Sequence, residues 1–361
     1  MKDKTKNIVI TVGFVLILII LLLANILNKD QEISITERRK LARFPEMTLK
    51  KVTNGQVSKE IERYTTDQFI ARDTFRGIKS FFSIHILKQQ DNNKLFEKDG
   101  AIYKMEYPLN EDNLNKSIDK INKIYEEHLQ GMRVYYAIIP DKNYYLKDDE
   151  HLKIDYDRLR QISKDRLKNM EYIDIWNDLE LEYYYRTDLH WRQERLQKVE
   201  KRLKTNMKLE NIGDINYTKT NVGEFYGTYY GQLGLNVKPD EMYILTNETI
   251  ENCKTYNYEK KEIGTIYNRN NYKDKYDIYL SGATPLICIE NPNANTQKEL
   301  LLFRDSYGSS IAPLLIQNYK KITLIDIRYM SSSLLDKYIE FNNQDVLFLY
   351  STLVLNQNIL Q

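Results

Sequence analysis

The stretch that decides how this chain folds reads Leu301-Leu302-Phe303-Arg304-Asp305-Ser306-Tyr307-Gly308-Ser309-Ser310. An apolar run from Leu300 to Arg304 ends in an acidic-serine turn, and a helical pattern over Ser309 to Tyr319 follows. A run without polar alternation is the mark of a strand buried on both faces. Toward the C-terminus the same alternation repeats: strand Ile322–Ile327, helix Ser331–Ile339, strand Val346–Tyr350. Upstream, Arg133 to Pro140 reads as a buried strand ended by proline and Asp155 to Met170 as a polar helix. Glu171 to Trp176 reads as a short strand, and Trp191 to Met207 as a helix charged on one face. Strands alternating with helices predict an α/β fold, a mainly parallel sheet with helices on both faces.

Further out the pattern turns helical. Gln56 to Phe82 places Ile61, Tyr64, Phe69, Ile70 and Phe75 at helical spacing, and Asn113 to Leu129 does so with Leu114, Ile118, Ile121 and Ile124. Residues 212–298 are loop-rich and dotted with glycine, and are expected to form an insertion around the site.

From Ile8 to Leu27 the chain is almost wholly apolar, and Lys2, Lys4 and Lys6 precede it. About 20 helical residues span a bilayer core of roughly 30 Å. The lysines predict a cytoplasmic N-terminus, with the rest of the chain outside the cell. An uncleaved anchor is the preferred reading. A cleaved signal peptide is the alternative, though no good small-x-small site follows. The expected organisation is a cytoplasmic tip and transmembrane helix over 1–30, a spacer over 31–55, and an α/β domain over 56–361 that carries the insertion.

Composition excludes several classes. The 361 residues are 42% hydrophobic and 29% charged, ordinary for a folded protein. The net charge of +2, from 53 basic and 51 acidic side chains, gives no electrostatic footprint for nucleic acid. Cys253 and Cys288 have no zinc spacing, and His85, His128, His151 and His190 make no metal cage. Cys288 reads as a buried strand residue. The expected chemistry uses no metal and no cofactor. The 29 tyrosines fit sugar-stacking surfaces, but a composition rich in Lys, Asn, Ile and Tyr together accounts for them better. Tyr183-Tyr184-Tyr185 and Tyr229-Tyr230 are the clusters of interest.

Ligands in open parallel sheets gather at the carboxyl ends of strands. Ser306 stands there, with its N–H toward a helix N-terminus and so toward a developing oxyanion. Its competing role, shared with Asp305, is an ordinary helix cap. Thr187-Asp188-Leu189-His190-Trp191 supplies a carboxylate two residues before an imidazole. Outside a helix those two side chains can share one side, so Asp188 can orient His190; capping by Thr187 or Asp188 is the alternative. Lys142 in Pro140-Asp141-Lys142 and Arg328 in Asp326-Ile327-Arg328-Tyr329 also end strands at the expected active edge. Either offers a donor to an oxyanion or a sugar, with a solvated loop or a structural pair as the bland reading. Tyr307, next to the serine, joins these candidates. The Gly-x-Ser-x-Gly elbow is absent.

Thr187–Trp191 together with Arg304-Asp305-Ser306-Tyr307 resembles the DHHW family, which belongs with the alginate O-acetylation proteins of the SGNH-hydrolase-like group. Glu37–Leu41, Asp67 to Asp73, Phe225 to Tyr230 and Asp326–Tyr329 match in the same order. The resemblance implies an SGNH-like fold with Ser306 as nucleophile, His190 as base and Asp188 as its orienter. Leu189 stands where the family name has its first histidine. The resemblance implies a membrane-anchored, extracytoplasmic O-acyltransferase or esterase that acts on a cell-envelope polysaccharide through an acyl-serine. A multi-pass membrane O-acyltransferase is the implied partner. The alternative is a non-catalytic binding or assembly subunit of such an envelope complex.

Overall fold

A computed structural model describes residues 2–361 except 35, 38, 148, 149, 210–212, 214 and 270–273. Arg38 of the Glu37–Leu41 stretch and position 212, the expected start of the insertion, lie outside the described residues. The chain divides into two compact units, residues 1–89 with 231–236, and residues 90–230 with 237–361. The division falls at 89/90 and not at 55/56, so the helices between Gln56 and Phe82 belong with the N-terminal unit.

In the first unit the helix Lys2–Leu27 is, among the described residues, the one long and apolar enough to cross a membrane, and its apolar window is unburied. Asn25 near its end is bonded at both polar atoms: its amide donates to Leu21 C=O, and its Oδ1 accepts from Ile70 N–H at 2.8 Å. Helices Leu49–Thr53, Gln56–Asp67 and Arg72–Phe81 follow, the last running into a π-helical turn at Phe82–Ile86. Buried Asp67 accepts from both terminal nitrogens of Arg39 and from Ala42 N–H. The Arg39 bonds, more than any other cause, pull its carboxyl down to about 2. Glu37 joins Arg72 at 2.6 Å and Arg76 at 3.2 Å. The charged matches after the anchor and around Asp67 therefore form one ion-pair network.

The second unit is built on an eight-stranded sheet. Numbered along the chain, its strands are β1 (Val134–Ile139), β2 (Glu171–Tyr172), β3 (Lys254–Asn257), β4 (Glu262–Gly264), β5 (Leu286–Glu290), β6 (Glu299–Arg304), β7 (Lys321–Ile325) and β8 (Asp345–Ser351). Their order across the sheet is β4-β3-β5-β7-β6-β8-β1-β2. The five strands from β7 to β2 are parallel, and β5, β3 and β4 extend that sheet by antiparallel pairing. Every residue of β1 and β8 is buried, so both faces of these strands are covered, as their unbroken apolar runs require.

The helix Gly308–Leu315 connects β6 to β7, and a 3-10 turn with the short helix Leu335–Tyr338 connects β7 to β8. β8 crosses back to the other side of β6. The sheet thus winds outward in both senses from β6 and β8, and the carboxyl ends beside that reversal form the usual ligand edge. Three edge strands come from the loop-rich middle, which also forms the hairpin Thr218–Phe225 with Asp240–Thr246. Cys253 and Cys288 are buried free thiols, Cys288 on β5 as read from the sequence.

Candidate active site

The carboxyl end of β6 hands the chain to Asp305 and Ser306. The Asp305 carboxylate accepts from Tyr307 N–H at 3.0 Å and from Ser351 N–H, at the end of β8, at 2.8 Å. It closes the turn and fastens it to the neighbouring strand. Gly308 is required by space: a Cβ there would lie 2.5 Å from the Cβ of Arg304, whose stem runs beneath the turn. Arg304 is fully buried, and its Nη1 lies 3.5 Å from Asp326. Ser306 keeps partial exposure at the lip of this turn.

Facing it is the segment Thr187–Trp191, which is irregular and not helical. His190 Nε2 lies 2.7 Å from Ser306 Oγ, and His190 Nδ1 lies 2.5 Å from Asp188 Oδ1. Because a carboxylate can only accept, Nδ1 carries the proton and Nε2 offers its lone pair to the serine hydroxyl. Asp188 is itself held: its Oδ1 accepts from His190 N–H at 3.0 Å and its Oδ2 from Thr228 N–H at 2.6 Å. The structure therefore brings together all three residues named from the sequence as nucleophile, base and orienter. The bland reading of Asp305 or Ser306 as an ordinary helix cap does not hold: the helix Gly308–Leu315 has no side-chain cap bond, and Asp305 instead closes the turn ahead of it.

The other named residues stand behind the site. Lys142 was expected to meet a ligand; it is instead buried, and Nζ donates to the carbonyls of Tyr185 (2.9 Å), Arg186 (3.1 Å) and Asp188 (2.8 Å). The rings of Tyr103 and Tyr229 flank the ammonium. Burial pushes its pKa down to about 7, against the opposing pull of Asp188, Asp240 and Asp141. A lysine at a strand end was readable; that three backbone carbonyls would claim it was not. Tyr307 is likewise no ligand donor: its buried hydroxyl donates to Leu189 C=O at 2.6 Å, and its ring lies against His190 and Trp191. Arg328 forms a bidentate pair with Asp326, at 2.9 Å through Nε and 2.7 Å through Nη2, and retains some exposure. Asp326 and Asp305 hold its pKa high despite burial.

Several contributors lay beyond the sequence reading. The Tyr276 ring stacks on the imidazole with centroids 3.8 Å apart and an 11° tilt. Its hydroxyl lies 3.0 Å from Ser310 Oγ, which also accepts from Trp191 Nε1 at 2.8 Å. Asp240 gathers Arg186 N–H, Thr187 N–H and the Thr187 hydroxyl, fixing the start of the histidine segment. Gly227 packs where a Cβ would fall 2.3 Å from that of Asp188. The Phe225–Tyr230 match carried the only sequence signal for this contact. Tyr276 is one of 29 tyrosines and Asp240 one acid in an irregular stretch, so nothing in their spacing marked them.

Residues 161–325 match the family model described as DHHW protein. No curated protein matches the chain. Among solved structures, a DHHW family protein from Eubacterium siraeum aligns at 20% identity over 74% of this chain and 95% of its own, with a TM-score of 0.58. Bacillus cereus PatB1 aligns at 19% over 75% and 98%, TM-score 0.55. The same protein with a sulfonyl adduct aligns at 19% over 74% and 96%, TM-score 0.53. The resemblance read from Thr187–Trp191 and the serine turn is borne out, and so is the mainly parallel α/β fold with its preceding apolar helix.

Proposed function

We propose that this chain is a membrane-anchored, extracytoplasmic serine-dependent O-acyltransferase or esterase acting on a cell-envelope polysaccharide. The observation that carries the reading is the continuous contact from Ser306 Oγ to His190 Nε2 to Asp188. His190 takes the hydroxyl proton as Ser306 attacks the acyl carbonyl, and Asp188 stabilises the imidazolium. The parallel Tyr276 ring favours that same cation. The tetrahedral oxyanion is met by the Ser306 N–H, while Arg328 stays committed to Asp326. Collapse expels the donor's leaving group, which takes the proton from His190, and leaves an acyl-serine. A sugar hydroxyl, deprotonated by His190, then attacks the acyl carbon and regenerates Ser306. Water in that role makes the reaction an ester hydrolysis.

The apolar helix Lys2–Leu27 supports an anchor that holds this chemistry at the external face of the membrane. A multi-pass membrane acyltransferase is the partner suited to deliver acyl groups there. The organisation that goes with this reading is a membrane helix, a spacer, and a catalytic α/β domain.

The test is hydrolysis of 4-nitrophenyl acetate by the full chain in detergent, with Ser306→Ala as comparison. Activity should fall at least about 10³-fold, as when a nucleophile is removed. A sulfonyl fluoride should add one sulfonyl mass to the wild type and none to the variant. Equal turnover and equal labelling in both would leave the binding or assembly subunit as the better account. Release of acetate against transfer to an acetyl-free envelope oligosaccharide separates esterase from transferase.

A further inference from the structure

The helical segment Arg72–Phe81 with its continuation Phe82–Ile86 has its polarity the wrong way round for a water-soluble surface. Its protein-facing side is small and polar. Arg76 Nη2 donates to the carbonyls of Gly231 and Gln232, and the buried Ser80 hydroxyl donates to that of Leu233. A Cβ on Gly77 would meet Gly234 C=O at 2.8 Å. The opposite side carries Phe75, Ile78, Phe81, Phe82 and Ile86, at helical spacing and each 48–55% exposed. A helix normally turns its apolar stripe inward and its polar residues to water. A contiguous apolar face left outside calls for a partner.

The position of this face identifies the partner. Asn25 sits in the last turns of Lys2–Leu27 and accepts a hydrogen bond from Ile70 N–H, two residues before the segment begins. A span of about 20 apolar residues from Ile8 uses the full thickness of the hydrocarbon core. Asn25 and the loop bonded to it therefore lie at the headgroup boundary. The segment starts at that depth, with Phe69 also exposed beside Phe75.

We propose that Arg72–Ile86 is an interfacial helix whose Phe75, Ile78, Phe81, Phe82 and Ile86 side chains insert into the outer leaflet of the bilayer. It gives the chain a second lipid contact beside the spanning helix. The inference rests on the anchor reading above. Acyl-chain contact follows from apolar area and needs no particular headgroup.

The experiment uses tryptophan fluorescence of the full chain in phosphatidylcholine vesicles with bromine near the top of the acyl chains. The native Trp176 and Trp191 are buried in the core and supply a constant background. Phe82→Trp should show a blue-shifted emission and about twofold quenching by the brominated lipid, with protection from aqueous iodide. Ile78→Trp gives the same readout should the first variant fail to fold. Leu18→Trp, quenched by deep-brominated lipid, reports the span independently. Quenching in the Leu18→Trp chain without quenching in the Phe82→Trp or Ile78→Trp chain overturns the inference and leaves the anchor standing. Loss of quenching in the Leu18→Trp chain overturns both. Should the Phe82→Trp indole be shielded from iodide yet blind to bromolipid, a protein covers the face, and that overturns the lipid assignment as well.

Discussion

Lys142 shows how a charge can serve a site it never enters. Its ammonium holds three carbonyls of the segment that ends in Asp188 and His190. Lys142→Met keeps most of the volume and removes every donor, so the carbonyls of Tyr185 and Asp188 lose the ammonium while that of Arg186 keeps its bond from Ile102 N–H. Stability should fall by roughly 2–4 kcal/mol, and kcat should drop more than KM rises, because the base loses its position and the pocket keeps its wall. Urea unfolding and ester hydrolysis on the purified chain measure the two effects. The pH dependence has a definite sign. Burial brings the folded pKa to about 7, below the ordinary lysine value of 10.5. Between these values the unfolded chain binds the extra proton, so this group's contribution favours folding increasingly as pH rises through the window. Below about 7 both states are protonated, and its cost is at its full value. The stability gap between wild type and Lys142→Met should therefore widen from about pH 7 to about pH 10. A constant gap would refute the assignment.

At the scale of elements, the site is two irregular turns pressed against two strand ends. Gly227 lets the chain after the Thr218–Phe225 hairpin strand approach Asp188 closely enough for Thr228 N–H to reach its carboxylate. Gly227→Ala forces that turn away. Activity should fall about 10²-fold or more while the sheet survives, measured as lost turnover with unchanged far-UV circular dichroism. The strands β1, β6 and β8 were legible because their apolar runs are unbroken, and β7 because only Thr323 interrupts its run. Ser306 was read from its place after a buried strand, and Asp188 with His190 from their spacing of two residues and from the family resemblance. The β5 strand was read at Cys288, but its antiparallel pairing and the strands β3 and β4 were hidden, since short strands in a loop-rich stretch give no period to count. The Glu171–Trp176 strand shrank to Glu171–Tyr172 followed by a 3-10 turn, because only its first two residues find a partner on β1. Tyr276 and Asp240 act through contacts far apart in sequence, and pattern reading has no access to those.

At the scale of the whole molecule, the proposed anchor would place the serine outside the cytoplasm. With Lys2, Lys4 and Lys6 inside, a reporter active only outside the cytoplasm should be active when fused after Gln361. The full chain should also stay in the membrane pellet after an alkaline carbonate wash. An inactive reporter, or release into the supernatant, would contradict the single-pass arrangement. The sequence displayed this helix plainly, since a long unbroken apolar run needs no tertiary context. It did not display the inverted polarity of Arg72–Ile86, because an amphipathic pattern does not say which face looks outward.

The serine and its base are 116 residues apart along the chain, and Trp191 and Gln193 tie the two segments together through Ser310. On the proposed topology, a polypeptide still being threaded through the membrane carries a hydroxyl and an imidazole with no acquaintance. In the chemistry proposed above, only closure of that long excursion lets the imidazole activate the alcohol. Completion of folding is then itself the safety catch.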